Sequence, residues 1–149
     1  MARLGEIICD KVAELIAAIT TPAIKAVHRN PFGVADINSM PCAFVWLESA
    51  DGARLSPADD KKRWLFSVGV AIVATSKSST SGDITATLDG FRAAVENKFD
   101  TNRTLGGTCN CANTEAWSYV YEPGGDDGGM ICMAATTVLA QIQATRQAN

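Results

Sequence analysis

The chain has 149 residues, of which 47% are hydrophobic and 19% charged, and its formal net charge is −3. This length and composition predict a single globular domain over residues 1–149 and argue against disorder. A mild excess of 16 acidic over 13 basic residues argues against a dedicated nucleic-acid binder, which normally carries a strong basic patch. Charged residues interrupt the N-terminal segment too often for a signal sequence, and no apolar run is long enough to predict a membrane span.

The first part of the chain predicts one helix and two strands. Hydrophobic residues recur at steps of three and four between Leu4 and Ile19, which predicts an amphipathic helix that ends before Pro22. The apolar run CAFVWLES predicts a strand buried on both faces, and the polar segment DGARLSPADDKKR predicts a loop. WLFSVGVAIVAT then predicts a strand with one hydrophobic face, formed by Trp64, Phe66, Val68, Val70 and Ile72.

The second part predicts a helix, a bend and two more strands. Thr80 and Asp83 have capping-box spacing, and the helix after them has a hydrophobic face formed by Ile84, Leu88, Phe91, Val95 and Phe99. The glycines of TLGG predict a tight bend. EAWSYVYE and MICMAATTVLAQIQ predict two strands joined by the turn PGGDDGG. The predicted fold is therefore α+β (α/β in the broad sense), in the order α-β-β-α-β-β, with a mostly antiparallel or mixed four-stranded sheet and two flanking helices.

Three cysteines near the C-terminus form the sharpest candidate for a metal or redox site. Cys109 and Cys111 are one residue apart, Cys132 could add a third ligand, and His28 is a distant fourth. A structural zinc site needs four ligands, usually from pairs spaced two to four residues apart. We therefore expect the five cysteines to be reduced thiols of a cytoplasmic protein that act as small hydrophobic residues, with no metal and no cofactor.

No catalytic motif is recognisable in the sequence. His28 is the only histidine, and we expect it at the end of the first helix or just past it, where imidazole interacts with helix carbonyls. No serine lies in a G-x-S-x-G motif, and the glycine pairs lack phosphate-loop spacing. Asp126 and Asp127 lack the other ligands of a calcium loop, which favours a solvated hairpin tip. The sequence predicts a protein that is not an enzyme.

Aromatic residues at alternate positions could serve a different kind of recognition. Trp117, Tyr119 and Tyr121 could stack nucleic-acid bases, but no basic residue is interleaved with them. A sheet face that packs in the core or against another subunit is the favoured interpretation.

The order of these segments resembles the tail terminator (tail completion) proteins of long-tailed bacteriophages. The resemblance covers almost the whole chain: the N-terminal amphipathic helix, the strand MPCAFVWLE, the charged loop and the long strand RWLFSVGVAIVAT. It continues through the helix ITATLDGFRAAVENKF, the TLGG bend and the closing hairpin. The segment CNCAN departs from the family pattern.

The resemblance implies a structural virion protein, assembled in the cytoplasm of the bacterial host. Copies of the chain would form a ring, expected to be a hexamer, that caps the tail tube protein, stops tube growth and joins the neck or connector protein. DNA would pass through the lumen without sequence-specific binding, which a mildly acidic chain allows by repulsion. No membrane partner is expected.

Two polar segments are the expected contacts of such a ring. They are residues 49–63 and residues 123–129, because long loops with distinct charge patterns on a rigid sheet suit recognition. The predicted interface residues with another subunit, the tube or the neck are Asp51, Arg54, Asp59, Asp60, Lys61, Lys62, Arg63, Asp126 and Asp127. Two alternatives remain. One is a head-completion or neck protein, and the other is a small cytoplasmic metal- or thiol-binding domain that uses Cys109, Cys111 and Cys132.

Overall fold

The computed structural model describes residues 3–20, 22–30, 41–54, 61–75, 84–123 and 130–145. Two helices and six strands form a mixed α+β fold around one mostly antiparallel sheet. In chain order the elements are α1 (Leu4–Ala17), β1 (Ala26–His28), β2 (Cys42–Arg54), β3 (Lys61–Thr75), α2 (Ile84–Thr101), β4 (Cys111–Thr114), β5 (Ser118–Pro123) and β6 (Met130–Thr145). The predicted α+β class is confirmed, but the predicted sheet lacked the two short strands β1 and β4.

Three long strands form the centre of the sheet. β3 pairs antiparallel with β2 on one side and with β6 on the other, from Lys61 opposite Thr145 to Thr75 opposite Ile131. β1 pairs in parallel with β2 over three positions only. On the far side of β6, β5 pairs with residues 130–135 and β4 with residues 138–141. β1 and β4 are three and four residues long, too short to produce a recognisable alternation in the sequence.

The main core lies between the two helices and one face of the sheet, called here the first face. The five residues predicted on one side of β3 all belong to or pack against this core. α1 contributes Ile8, Val12 and Ile16, and α2 contributes Phe91, Val95 and Phe99. The predicted hydrophobic faces of α1, α2 and β3 are therefore confirmed by burial. No helix in the described part of the chain is long and apolar enough to cross a membrane.

The opposite side of the sheet, called here the second face, carries a smaller cluster. Cys42, Phe44 and Val73 are buried there, and Trp46, Ile131 and Met133 pack around them. Burial decreases along the strands towards Ser67 and Leu139, which are half-buried, and Leu65, which is exposed. Both described helices pack on the first face, so the second face is the less covered of the two.

The bend after α2 has the predicted geometry. Leu105, Gly106 and Gly107 have φ of 50°, 71° and 91°. Two successive glycines adopt this left-handed conformation without the strain that a Cβ would add. The proposed capping residues Thr80 and Asp83 lie outside the described residues.

Two local predictions were wrong. The segment 51–63 was predicted as a loop, but β2 continues to Arg54 and β3 begins at Lys61. The end of a strand can be polar on both faces, and the sequence then shows no alternation of hydrophobic and polar residues that would predict a strand. His28 does not lie at the end of α1 but in β1, where its ring centroid is 5.0 Å from that of Phe44. His28 lies there because β1 pairs in parallel with β2. The two strands are separated in the sequence, so no local pattern around His28 predicts this pairing.

Candidate interaction surface

The charged segment between β2 and β3 forms the end of a long β-hairpin. We call residues 51–54 and 61–63 the hairpin arm. In the register of the two strands Asp51 lies opposite Leu65, Ala53 opposite Arg63, and Arg54 opposite Lys62. β6 continues alongside, with Thr145 opposite Lys61. The predicted interface residues Asp51, Arg54, Lys61, Lys62 and Arg63 are therefore brought together at one end of the sheet.

The remaining predicted interface residues lie outside the described residues. They are Asp59 and Asp60 in the hairpin loop and Asp126 and Asp127 between β5 and β6. For Asp59 and Asp60, the connection to the arm follows from the sequence alone, because residues 55–60 link Arg54 to Lys61.

Charge is distributed unevenly between the hairpin arm and the rest of the chain. The arm holds four basic residues and one acidic residue, a sum of +3, whereas the whole chain has a net charge of −3. The rest of the chain therefore carries −6, to which Asp59 and Asp60, between Arg54 and Lys61 in the sequence, contribute −2. Residues 51–63 as a whole thus carry +1, with the basic residues concentrated in the paired strand ends.

Besides the outer side of the three-residue β1, two longer strand edges of the sheet have no strand partner among the described residues. β1 covers the outer side of β2 only from Cys42 to Phe44, so residues 45–54 pair with no described strand on that side. β5 pairs with β6 on one side, and no described strand pairs with its other side. The outer side of β4 differs, because the Ala112 amide donates a hydrogen bond to the Arg103 carbonyl at 2.6 Å. Open edges are templates for pairing with another chain.

Exposed hydrophobic side chains coincide with these edges. Four large hydrophobic side chains in the described part are at least 36% exposed. Leu47 (44%) lies on the open stretch of β2, and Val120 (41%) and Tyr121 (39%) lie on β5. The fourth, Leu65 (36%), lies next to the hairpin arm on β3. Single exposed hydrophobic residues are ordinary. Three of these four nevertheless lie on the two edges that pair with no described strand.

A shallow groove of about 290 Å³ lies on the second face. Trp46 and Glu48 form one wall, Glu115 and Ser118 the other, and Thr137 lies between them. The Thr137 hydroxyl donates a hydrogen bond to Glu48 Oε1 at 2.8 Å, so the Glu48 side chain reaches across β3 to β6. The groove therefore presents two carboxylates, an indole and hydroxyl groups to solvent, and these groups can form polar contacts.

The three C-terminal cysteines do not come together. Cys111 lies opposite Gln141 on β6, whereas Cys132 lies opposite Tyr121. Nine positions along β6 separate these points, which is about 30 Å at about 3.3 Å per residue. The alternative of a three-cysteine site is therefore wrong. Among the described residues, no group of three or more His, Cys, Asp or Glu side chains is placed to hold a metal ion.

Cys109 and Cys111 differ in their surroundings. Cys109 is buried and its thiol points to the Arg103 carbonyl at 3.8 Å, whereas Cys111 is half-buried and accepts a hydrogen bond from the Asn113 amide. Burial is the main cause that raises the pKa of Cys109 to about 11. A reactive thiol needs a lowered pKa, so Cys109 has the character of a core residue.

The aromatic residues of β5 contact α2. The Tyr119 hydroxyl donates to Asp89 Oδ1 at 3.3 Å, and the Tyr121 hydroxyl lies 3.4 Å from the Thr85 hydroxyl. Arg92 Nε also donates to Asp89 Oδ1, at 2.8 Å, and this hydrogen bond lowers the pKa of the Asp89 carboxyl. β5 therefore contacts α2 on the first face of the sheet. No described strand pairs with the outer edge of β5.

Sequence reasoning identified the charged arm but missed the open edge of β2 and the groove residues Trp46 and Glu48. Both residues belong to CAFVWLES, which was interpreted as a strand buried on both faces. That interpretation is confirmed for residues 42–45, which are buried, but not for Leu47 and Glu48, which are exposed. The acidic residue at the end of the apolar run was the available signal. Neither models of known protein families nor the curated proteins gave a match to this chain.

Proposed function

We propose that the protein is a non-enzymatic tail terminator of a long-tailed bacteriophage, a ring-forming subunit that caps the tail tube and joins it to the neck. The observation that carries the proposal is the combination of two strand edges that pair with no described strand and a charged arm at one end of the same α+β sheet. Such a subunit has surfaces for its own copies and a separate surface for another protein. The architecture agrees in class with what the resemblance to the family implies.

The charge distribution supports the same function. Residues 51–63 hold four basic and three acidic residues, and opposite charges so close together can set the partner and the register of a contact with another protein molecule. An acidic lumen would repel DNA and let it pass. Charged contacts of this kind set partner choice and association rate more than affinity, which suits a component that must recognise the end of the tube once.

Two measurements test the proposed function. Electron microscopy and native mass spectrometry of the purified protein should show one closed ring with a central hole, expected to contain six copies. Added to tail tube protein of the same phage during polymerisation, the ring should limit tube length. A monomer that leaves tube length unchanged would contradict the function.

A charge reversal locates the contact within the hairpin. Replacing Asp59 and Asp60 by lysine changes the charge by two units at each position, four per subunit. The double variant should keep its circular dichroism spectrum but lose ring assembly or tube capping, and phage that carry it should have overlong or headless tails. A matched control is the reversal of the exposed helix residue Asp100, which should leave both activities intact. Normal capping by the double variant would exclude this loop as the contact.

A further inference from the structure

The unpaired stretch of β2 and the unpaired side of β5 are at opposite edges of the same sheet. The described strand order runs β1-β2-β3-β6, with β5 beyond β6. Backbone amides and carbonyls on an open edge can form the hydrogen bonds of a further strand. In a second copy of the chain, the outer side of β5 could face the outer side of β2 of the first copy, so the sheet could continue from one copy to the next.

Strand directions determine the kind of pairing that would result. β2 is antiparallel to β3, and β3 is antiparallel to β6, so β2 runs in the direction of β6. β5 is antiparallel to β6 and therefore also to β2. A rotation that continues the sheet preserves strand direction, so β2 of one copy would meet β5 of the next as an antiparallel pair. Antiparallel pairing is the slightly more stable kind per residue.

The β2–β5 pairing and a symmetric β2–β2 pairing have the same net charge, because residues 45–54 and β5 each carry −1, but they bring different numbers of carboxylates together. Two β2 edges paired with each other would bring two copies each of Glu48 and Asp51 together, and like charges across a strand pair are destabilising. Against β5 the same stretch meets one carboxylate, Glu122, besides the exposed Val120 and Tyr121. In the antiparallel arrangement, Arg54 at the end of β2 would lie near Ser118, at the start of β5, and towards Glu115 of the neighbouring copy.

We propose that residues 45–54 of β2 in one copy pair antiparallel with β5 of the next copy, so that the sheet is continuous across the subunit interface. This inference rests on the proposed ring and names the contact that builds it. The interface is head-to-tail, and such an interface forms a ring where the rotation closes. Closure leaves no free edge of this kind, and exposed Leu47, Val120 and Tyr121 become interface residues.

Cross-linking between two differently labelled chains tests the contact. Ser49 and Ser118 are exposed, and their register partners Ser67 and Ala135 place both on the second face, each on one of the two edges. In a Cys111→Ser background, one chain carries Ser49→Cys and a second chain, of different mass, carries Ser118→Cys. A flexible bismaleimide of about 13 Å spans about four strand residues, so the outcome does not depend on one register. The serine-to-cysteine changes alter one atom and should leave folding intact.

The expected result is a cross-linked dimer of the two different chains in the mixture, with only background dimer when either variant is treated alone. A control mixture pairs Ser49→Cys with Ala93→Cys on the exposed side of α2 and should give only background. Efficient dimer formation by Ser49→Cys alone would show a β2–β2 contact and overturn the proposal.

The mass of the assembly separates this inference from the proposed function. A closed ring without the β2–β5 cross-link overturns the edge pairing and leaves the terminator function standing. Open-ended filaments with the cross-link support the edge pairing and contradict the terminator function. A chain that stays monomeric overturns both.

Discussion

Replacing Gly69 by alanine tests the packing of the second face. Gly69 lies opposite Trp46 on β2, and the indole rests directly on the glycine. A Cβ at this position would be 2.3 Å from Trp46 Cε2, 2.4 Å from Cζ2 and 2.7 Å from Nε1. Non-bonded carbon atoms prefer about 3.5–4.0 Å, so the indole must move by about 1.2 Å or more.

The magnitude follows from two opposing effects. Overpacking of this kind costs about 1–3 kcal/mol, whereas alanine in place of glycine within a strand gains about 0.5–1 kcal/mol from lower backbone entropy in the unfolded chain. We expect Gly69→Ala to lower the free energy of unfolding by about 1–2 kcal/mol. This is a substantial part of the about 5–15 kcal/mol that holds a domain together.

A double-mutant cycle with Trp46→Ala isolates the clash. Once the indole is removed, Gly69→Ala should be neutral or stabilising, which gives a coupling of at least about 1 kcal/mol between the two positions. Urea denaturation followed by circular dichroism measures all four proteins. The protein concentration must be the same throughout, because association makes apparent stability depend on concentration.

A second glycine serves as the matched control. Gly90 lies in α2, and a Cβ there would meet no atom within 4 Å. Gly90→Ala should therefore stabilise the protein by about 0.5–1 kcal/mol. If Gly69→Ala is also stabilising in the presence of Trp46, the indole does not rest on Gly69 and the described packing of the second face is wrong.

Three further predictions concern the core and the thiols. Phe66→Ala should destabilise the protein by about 3–5 kcal/mol in urea denaturation. Leu65→Ala, at the neighbouring position on the opposite face, should change stability by less than about 1 kcal/mol. Equal effects of the two substitutions would place Phe66 outside the core. Because burial raises the pKa of Cys109 from 9.0 in the unfolded chain to about 11, its contribution to stability is complete below about pH 9 and is lost as the pH rises through 11. Melting temperatures between pH 8 and 11 should therefore fall more for the native protein than for Cys109→Ala, and parallel curves would contradict the burial. Replacing Cys109 and Cys111 together by serine should change stability by no more than about 1–2 kcal/mol, and less than one equivalent of zinc should be found; stoichiometric zinc or unfolding by a chelator would refute the structural role.

The sequence by itself determined the helices and the centre of the sheet. Leu88, Phe91, Val95 and Phe99 recur at helical spacing and are all buried, and alternate residues of β3 all face the core. These predictions succeed because hydrophobic burial is decided by the period of the element, which is a local property. Likewise, Gly106 and Gly107 predicted a tight bend, and both adopt the positive φ that glycine reaches freely.

The candidate interaction surface was only partly predictable. The charges of the hairpin arm stand out in the sequence, but their composition indicated a loop, whereas Asp51 and Arg63 lie in paired strands. A strand segment without a hydrophobic face has the composition of a loop, so composition cannot distinguish the two. The paired register, not the residue types, brings these charges to one end of the sheet.

Only the tertiary structure decided which edges stay open, which face the helices cover and where the cysteines lie. The short β1 ends its pairing with β2 at Phe44, and nothing in CAFVWLES indicates that the rest of that edge is free. Cys111 and Cys132 are 21 positions apart in the chain, within reach of a common site, yet Cys111 pairs with Gln141, nine positions along β6 from Cys132. Strand partners are chosen by packing of the whole sheet, between residues far apart in sequence, and no local pattern encodes that choice.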